Sequence, residues 1–282
     1  MKQTTLASEV ALTGTSLHEG HPVTLTLRPA PAGSGITLVR ADKGNARIAV
    51  HPRNIREVQR RTLLMENGAE VHTVEHVLAA LYGMGVDNAE LVLTAPEPPA
   101  GDGSSKAFVD LVRKAGITQL QAERPSFTPT APIEVVDGNA SIRVEPAASG
   151  LTVNYTLDYG VPFMPRTTVE LAVTEAGFEH EIGPARTFCL EQEAKMLQAM
   201  GFGKGANTQN TLVVSPTGPL ENTLRFPDEY ARHKLLDVVG DLSVTGLRLN
   251  AKVTAVRSGH SQNQKVAKAL REQYETTRAG KL

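Results

Sequence analysis

The chain has 282 residues, with 29 Lys+Arg against 30 Asp+Glu, a formal net charge of −1 and one cysteine. Balanced charge excludes a nucleic-acid binder that works by phosphate neutralisation. The single Cys189 excludes an intrachain disulfide and an all-cysteine zinc site. The N-terminal MKQTTLASEVALTG lacks a signal peptide's apolar run, and no segment approaches the ~18 apolar residues of a membrane helix, so a cytosolic protein is expected.

In chain order, Val23–Leu27 alternates apolar and polar residues as a half-buried strand does. A helix over His76–Gly83 and a strand at Ala89–Leu93 follow, then a helix at Ser105–Ala115. Pro125, Pro129 and Pro132 punctuate an extended linker, because proline fixes φ and pushes its predecessor out of helix. The linker, 125–132, separates an N-terminal domain over 1–124 from a C-terminal domain over 133–282. The second half again opens on a strand, Leu151–Leu157. It continues with helices at Cys189–Met200 and His233–Gly240, a strand at Leu247–Val256 and a polar helix at Ser261–Arg278 that is expected to fray. Both halves carry the stencil H-x-L-x-x-x-x-G, at His76–Gly83 and His233–Gly240, each ahead of a strand. The order predicts two copies of one α+β unit.

Three segments carry candidate chemistry. In HTVEH, a helix would set His72 and His76 one turn apart, with Glu75 about 100° round from His76. The spelling also fits the H-x-x-E-H pattern of zinc peptidases, with both histidines as ligands; the alternative is an exposed helix start. In HKLLD, His233 and Asp237 stand at i and i+4, either a ligand pair or an intrahelical ion pair. Together His76, His233 and Asp237 make the three-ligand set of a catalytic zinc, with Glu75 placed as base and the metal between the two halves. In SGHSQN, His260 opens the last helix as a candidate proton donor or oxyanion stabiliser, and Asp241, one turn beyond Asp237, is placed to orient it.

These segments resemble the zinc-dependent UDP-3-O-acyl-N-acetylglucosamine deacetylases of lipid A biosynthesis. The matching stretches run in order: TLASEVALTGTSLHEGHPVTLTLRPAPAGSGI at 5–36, TVEHVLAALYGMGVDNAEL at 73–91, APEPPAGDGSS at 95–105, ARTF at 185–188, RHKLLDVVGDL at 232–242 and SGHSQN at 258–263. The resemblance implies an α+β fold of two related domains, each a two-layer sandwich of sheet and helices, with the active site between them. It implies Zn²⁺ on His76, His233 and Asp237, Glu75 as general base, His260 as general acid supported by Asp241, and a Thr187 hydroxyl toward the oxyanion. Lys234, Phe188, Tyr159 and His18 are the implied contacts to an acylated UDP-amino sugar. A cytoplasmic hydrolase that releases acetate, with no nucleic acid, transmembrane segment or obligate protein partner, is the expected activity. A non-catalytic or altered-specificity relative that binds a nucleotide sugar is the alternative. The H-x-x-E-H peptidase is a further one, although the position of His72 varies among the proteins resembled.

The sequence departs from that family in its second half. Glu191, Gly203, Asn207, Thr208 and Thr211 stand in the segment 189–214 where an apolar passage for the fatty acyl chain is expected. The motif D-[FY]-x-H-P reads Asp158-Tyr-Gly-Val-Pro162, without its histidine. A lysine associated with the diphosphate is replaced near Ala140, with Arg143 as the possible substitute. GFGKG at 201–205 lacks Walker spacing and reads as a loop. Cys189 reads as a buried small residue. His18, His21, His51 and His180 read as surface residues, His18 alone with a candidate substrate contact. Asp102 reads as a turn residue that caps the following helix.

Overall fold

The computed structural model describes residues 1–280. The first sheet runs, edge to edge, through Val10–Thr15, Pro22–Pro29, Ala89–Leu93, Ile36–Arg40 and Ala46–Ala49. The second runs through Ile133–Asp137, Ala140–Pro146, Ala251–Val256, Leu151–Leu157 and Thr167–Ala172. In each, the strand that comes last in the chain sits at the centre. It pairs parallel with the third strand and antiparallel with the second. The parallel pair requires a crossover, and a helix supplies it in both halves. The repeat read from the two stencils is therefore a repeat of topology, in an α+β fold of sheets layered with helices.

The crossover helices are α1 (Glu75–Gly83) and, in the second half, α5 (Glu229–Ser243). Apart from half-buried Tyr82, every residue of α1 is buried, as expected of a helix apolar on nearly all sides. The two helices pack on each other in one continuous core that includes Leu78, Leu81, Leu235 and Val239. The glycine of each stencil answers to this packing. A Cβ at Gly240 would collide with the backbone of Glu75, and one at Gly83 with the ring of Phe178. Each unit closes with a second helix after its central strand, α2 (Lys106–Ala115) and α6 (His260–Ala279). The last helix is continuous over its 20 residues although polar, because Val266, Ala267 and Leu270 are buried beneath it.

Each unit also carries an insert in the same slot, between its fourth strand and its crossover helix. In the first it is a small sheet of Ile55–Arg56, Leu63–Glu66 and Ala69–His72. In the second it holds the short helix α3 (Glu175–Gly177), a sheet of Phe188–Leu190, Leu212–Ser215 and Gly218–Pro219, and helix α4 (Glu191–Ala199).

Several boundaries differ from expectation. HTVEH is not helical throughout: His72 ends a strand, Thr73 has φ 56°, and α1 begins only at Glu75. Cys189 lies in a strand, paired parallel with Val213, and α4 starts two residues later. The run Leu247–Val256 breaks at Asn250, whose N–H donates to Phe127 O and whose Oδ1 accepts from the Gly150 N–H. Its first part, Arg248–Leu249, pairs parallel with Ser126–Phe127, so the proline-rich stretch contributes a short strand of its own.

Candidate active site

The first turn of α1 presents Glu75 and His76, and three successive turns of α5 present His233, Asp237 and Asp241. Glu75, His233 and Asp237 are each no more than 3 % exposed, and His76 is 7 % exposed. His76, His233 and Asp237 each offer a ligand atom, and these atoms lie within 4.8 Å of one another. Asp237 Oδ1 is 3.7 Å from His76 Nε2 and 3.5 Å from His233 Nε2. Ligands at ~2.0–2.1 Å from a tetrahedral ion stand roughly 3.3 Å apart, so the spacing suits one metal ion.

The donor chemistry also fits. Asp237 Oδ1 is buried and has no hydrogen-bond partner among the described residues, whereas Oδ2 accepts from Lys234 Nζ at 2.6 Å. Such an orphaned carboxylate oxygen is open to a donor or a cation, and with two imidazole nitrogens nearby the set could hold a metal ion. Burial would push the Asp237 carboxyl up, but the Lys234 ammonium and His233 outweigh it and hold it well below the usual carboxylate range. Burial lowers the His233 pKa to about 4. Its Nδ1–H donates to Ala185 O at 3.0 Å, so the neutral ring turns a lone pair on Nε2 toward the cluster.

Beside the cluster, burial raises the pKa of Glu75. One of its oxygens, Oε2, accepts from Thr62 N at 3.0 Å, and the other, Oε1, lies 3.8 Å from His260 Nε2. His260 Nδ1–H donates to Asp241 Oδ2 at 2.9 Å, and its Nε2 is 3.9 Å from Asp237. Burial alone would lower the His260 pKa, but the Asp241 and Glu75 carboxylates raise it to about 9.

Glu75, His76, His233, Asp237 and His260 line one cavity of about 810 Å³. Thr187, Phe188, Tyr159, Lys234 and His18 line it too, so every residue singled out for substrate contact meets the same space. Phe188 packs against Tyr159, Tyr230 and the His233 ring at centroid distances of 5.6, 4.9 and 6.3 Å. The second insert supplies much of the outer wall. It offers apolar Ala194, Leu197 and Phe202, followed by polar Asn207, Thr208 and Thr211. The polar three are occupied within the insert: Asn207 Oδ1 accepts from Gln209 N, and the Thr208 and Thr211 hydroxyls donate to Glu221 and Asn210.

Some expectations are corrected. His72 stays outside the cluster, donating from Nε2 to Glu19 Oε1 at 3.1 Å, because the strand that carries it ends before α1 begins; the peptidase ligand pair is not formed. His18 and His51 are half-buried rather than superficial, while His21 and His180 are exposed. Asp102 turns the chain and pairs with Arg225 at 2.7 Å, but Ser104 Oγ, not Asp102, accepts from the first N–H of α2. Arg143 is bound to Glu134 and Glu145, outside the cavity lining.

Sequence reading did not single out several supporting groups. Buried Glu229, at the start of α5, accepts from Arg186 N and Nε at 3.0 and 2.8 Å, which docks the ARTF segment onto that helix. Buried Glu97 accepts from the His18 and Glu19 N–H groups and holds that loop at the cavity. Arg186 stood inside a noted motif, but its partner lies 43 residues on.

Two imidazoles and a carboxylate that could hold a metal ion, with a separate carboxylate and an imidazole alongside, are the kind of constellation a hydrolase can use. Comparison with known proteins narrows the class. The family described as UDP-3-O-acyl N-acetylglycosamine deacetylase matches residues 3–272. Proteins named UDP-3-O-acyl-N-acetylglucosamine deacetylase are similar over 95 % of this chain. That of Anaeromyxobacter dehalogenans is 42 % identical, with 87 % of its length covered. Those of Myxococcus xanthus and Citrifermentans bemidjiense are 37 % and 36 % identical, with 86 % and 88 % covered. The chain belongs to the UDP-3-O-acyl N-acetylglycosamine deacetylase family.

Proposed function

We propose that the protein is a zinc-dependent amidohydrolase that removes acetate from UDP-3-O-(3-hydroxyacyl)-N-acetylglucosamine, the committed step of lipid A biosynthesis. The observation that carries this reading is the unpartnered Asp237 Oδ1 facing two imidazoles inside a cavity large enough for an acylated sugar nucleotide. His76, His233 and Asp237 would hold the ion, and a set of two nitrogens and one oxygen suits zinc. Zinc held there supplies Lewis acidity toward a carbonyl oxygen and lowers the pKa of water.

The chain's own groups do the rest. Glu75 Oε1, with Oε2 already held by Thr62, takes a proton from the attacking water. His260, kept protonated by Asp241, gives a proton from Nε2 to the amide nitrogen, without which that nitrogen leaves poorly. Thr187 donates its hydroxyl to the developing oxyanion. Lys234, Phe188, Tyr159 and His18 contact the substrate, and the second insert receives the acyl chain. Residues 1–124 and 133–282 would be the two domains, with the substrate bound between them. No helix among the described residues is long and apolar enough to cross a membrane, which is compatible with work in the cytoplasm. Acetate release from the acylated sugar nucleotide, measured with and without a zinc chelator, tests the reading. Release that the chelator leaves untouched rules out the metal assignment, and no release at all rules out the activity.

A further inference from the structure

Thr62 is fully buried at the edge of the first insert, one residue ahead of the strand Leu63–Glu66, and it meets groups from three other elements. Its backbone N–H donates to Glu75 Oε2 of α1 at 3.0 Å. Its hydroxyl lies 2.5 Å from Asp241 Oδ1 of α5 and 2.9 Å from Gln264 Nε2 of α6. The donor count leaves one arrangement. A carboxylate accepts only, so the single hydroxyl proton goes to Asp241, and the hydroxyl must then accept from the Gln264 amide. Asp241 is thereby filled on both oxygens, from Thr62 on Oδ1 and from His260 Nδ1 and Asn263 Nδ2 on Oδ2.

We propose that Thr62 is a positioning residue that locks the Glu75 carboxylate and the Asp241–His260 pair into one geometry across the two halves of the molecule. Its N–H occupies the far oxygen of Glu75 and leaves Oε1 for the reacting proton. Its hydroxyl fixes the plane of the Asp241 carboxylate and, through that carboxylate, the direction of the His260 ring. Gln264 acts one step further out by forcing the hydroxyl to donate. This inference rests on the deacetylase reading for its catalytic consequence but not for its geometry, and the test separates the two.

Thr62→Val keeps the shape and the backbone N–H and removes the hydroxyl; Thr62→Ser keeps both donors. With acetate release as the assay, Thr62→Val is expected to lower kcat by about tenfold to a hundredfold, the cost of one buried hydrogen bond to a charged group, with KM and bound metal unchanged. Thr62→Ser should stay within about threefold of wild type. A residue that served folding alone would lower the melting temperature without this split between kcat and KM. Wild-type kcat in Thr62→Val, or equal loss in Thr62→Ser, overturns the proposal. Should Thr62→Val fail to fold, Gln264→Met is the second variant: a partial loss of kcat supports the proposal and an unchanged kcat overturns it. The geometry has its own readout in the downfield proton resonance of His260 Nδ1–H at fixed pH. It should shift in Thr62→Val even if the wild type releases no acetate, a result that would sink only the deacetylase reading; an unshifted resonance sinks the positioning role.

Discussion

The two halves fold to the same plan and contribute unequally. Each threads four strands, an insert, a buried helix, a central strand and a closing helix. Yet α1 brings only its first turn to the cavity, as Glu75 and His76, while α5 brings His233, Lys234 and Asp237 along one face, with Asp241 behind them. The difference follows from where the helices touch. Gly240 of α5 lies against the backbone of Glu75, so the start of α1 meets the last turn of α5 there. Gly83, the matching position in α1, instead admits the ring of Phe178 from the other half. The glycine of one stencil thus sets the distance between the helices, and that of the other leaves a space that the Phe178 ring fills.

The sharpest way to break this comparison is to ask whether both helices hold the metal. His233→Ala and His76→Ala should each strip most of the bound zinc and lower turnover by about a thousandfold or more, whereas His72→Ala should leave zinc content at wild-type level. Glu75→Ala should keep zinc and still lose about a hundredfold to ten-thousandfold in turnover. Metal analysis that finds zinc lost in His72→Ala and kept in His233→Ala would return the site to one helix and end the two-sided reading.

Next in size is the glycine contrast. Gly240→Ala pushes a methyl into main chain that cannot swing aside, and overpacking of this kind costs about 1–3 kcal/mol or more. Gly83→Ala meets a side chain rather than main chain, and an alanine also favours helix over glycine by about 1 kcal/mol, so its loss should be smaller. The added methyl at residue 240 should also move Glu75 and depress turnover beyond the loss of stability. Equal melting temperatures for the two variants would show that the helix crossing is not tighter at Gly240.

Much of this arrangement was legible in the sequence, and the reasons are local. Leu151–Leu157 alternates cleanly, Ala89–Leu93 is a short strand-like run, and both form strands over those bounds. The pairing of His233 with Asp237 was visible because i and i+4 fall on one helix face. His72 misled because the spacing of HTVEH has meaning only if the helix reaches back through Thr73, and the chain reverses there. Cys189 misled because a helical pattern in 191–199 extends smoothly into residues that pair as a strand instead. Thr62 was out of reach: its partners lie 13, 179 and 202 residues away, and nothing in RRTLL marks a threonine as the junction of three elements.

The histidines around the cavity also titrate in opposite senses, which gives a test on the chelated protein. His260 has a folded pKa of about 9 against 6.5 unfolded, so its contribution is complete below pH 6.5 and is lost as pH rises through about 9, roughly 3 kcal/mol in all. His233 and His18 are lowered by burial to about 4, so they disfavour folding in acid, and stability should rise between about pH 4 and 6.5. The melting temperature of metal-free protein should therefore peak near pH 6.5. His260→Asn should flatten the alkaline limb alone; an alkaline limb as steep as wild type in that variant would assign the loss to other groups.

The smallest effect concerns the inserts, which meet each other as well as the cavity. Arg60 of the first pairs with Glu193 of α4 at 2.9 Å, and the next residue, Arg61, lies 5.3 Å over the ring of Phe202. An extended backbone would send these neighbouring side chains to opposite faces; Arg60 has φ 66°, and both reach the second insert. The ion pair is 42 % and 26 % exposed at its two side chains, so Arg60→Ala should cost less than about 1 kcal/mol, and less still at high salt. The backbone adds a separate contribution of opposite sign. Glycine adopts positive φ without strain, so Arg60→Gly should be more stable than Arg60→Ala by about 0.5–1 kcal/mol although both lack the guanidinium. Because α4 has no buried residue, loosening this contact should show first in hydrogen exchange of α4 rather than in global melting. Exchange in α4 unaltered by Arg60→Ala would mean that the second insert holds its place on its own sheet, without help from the first.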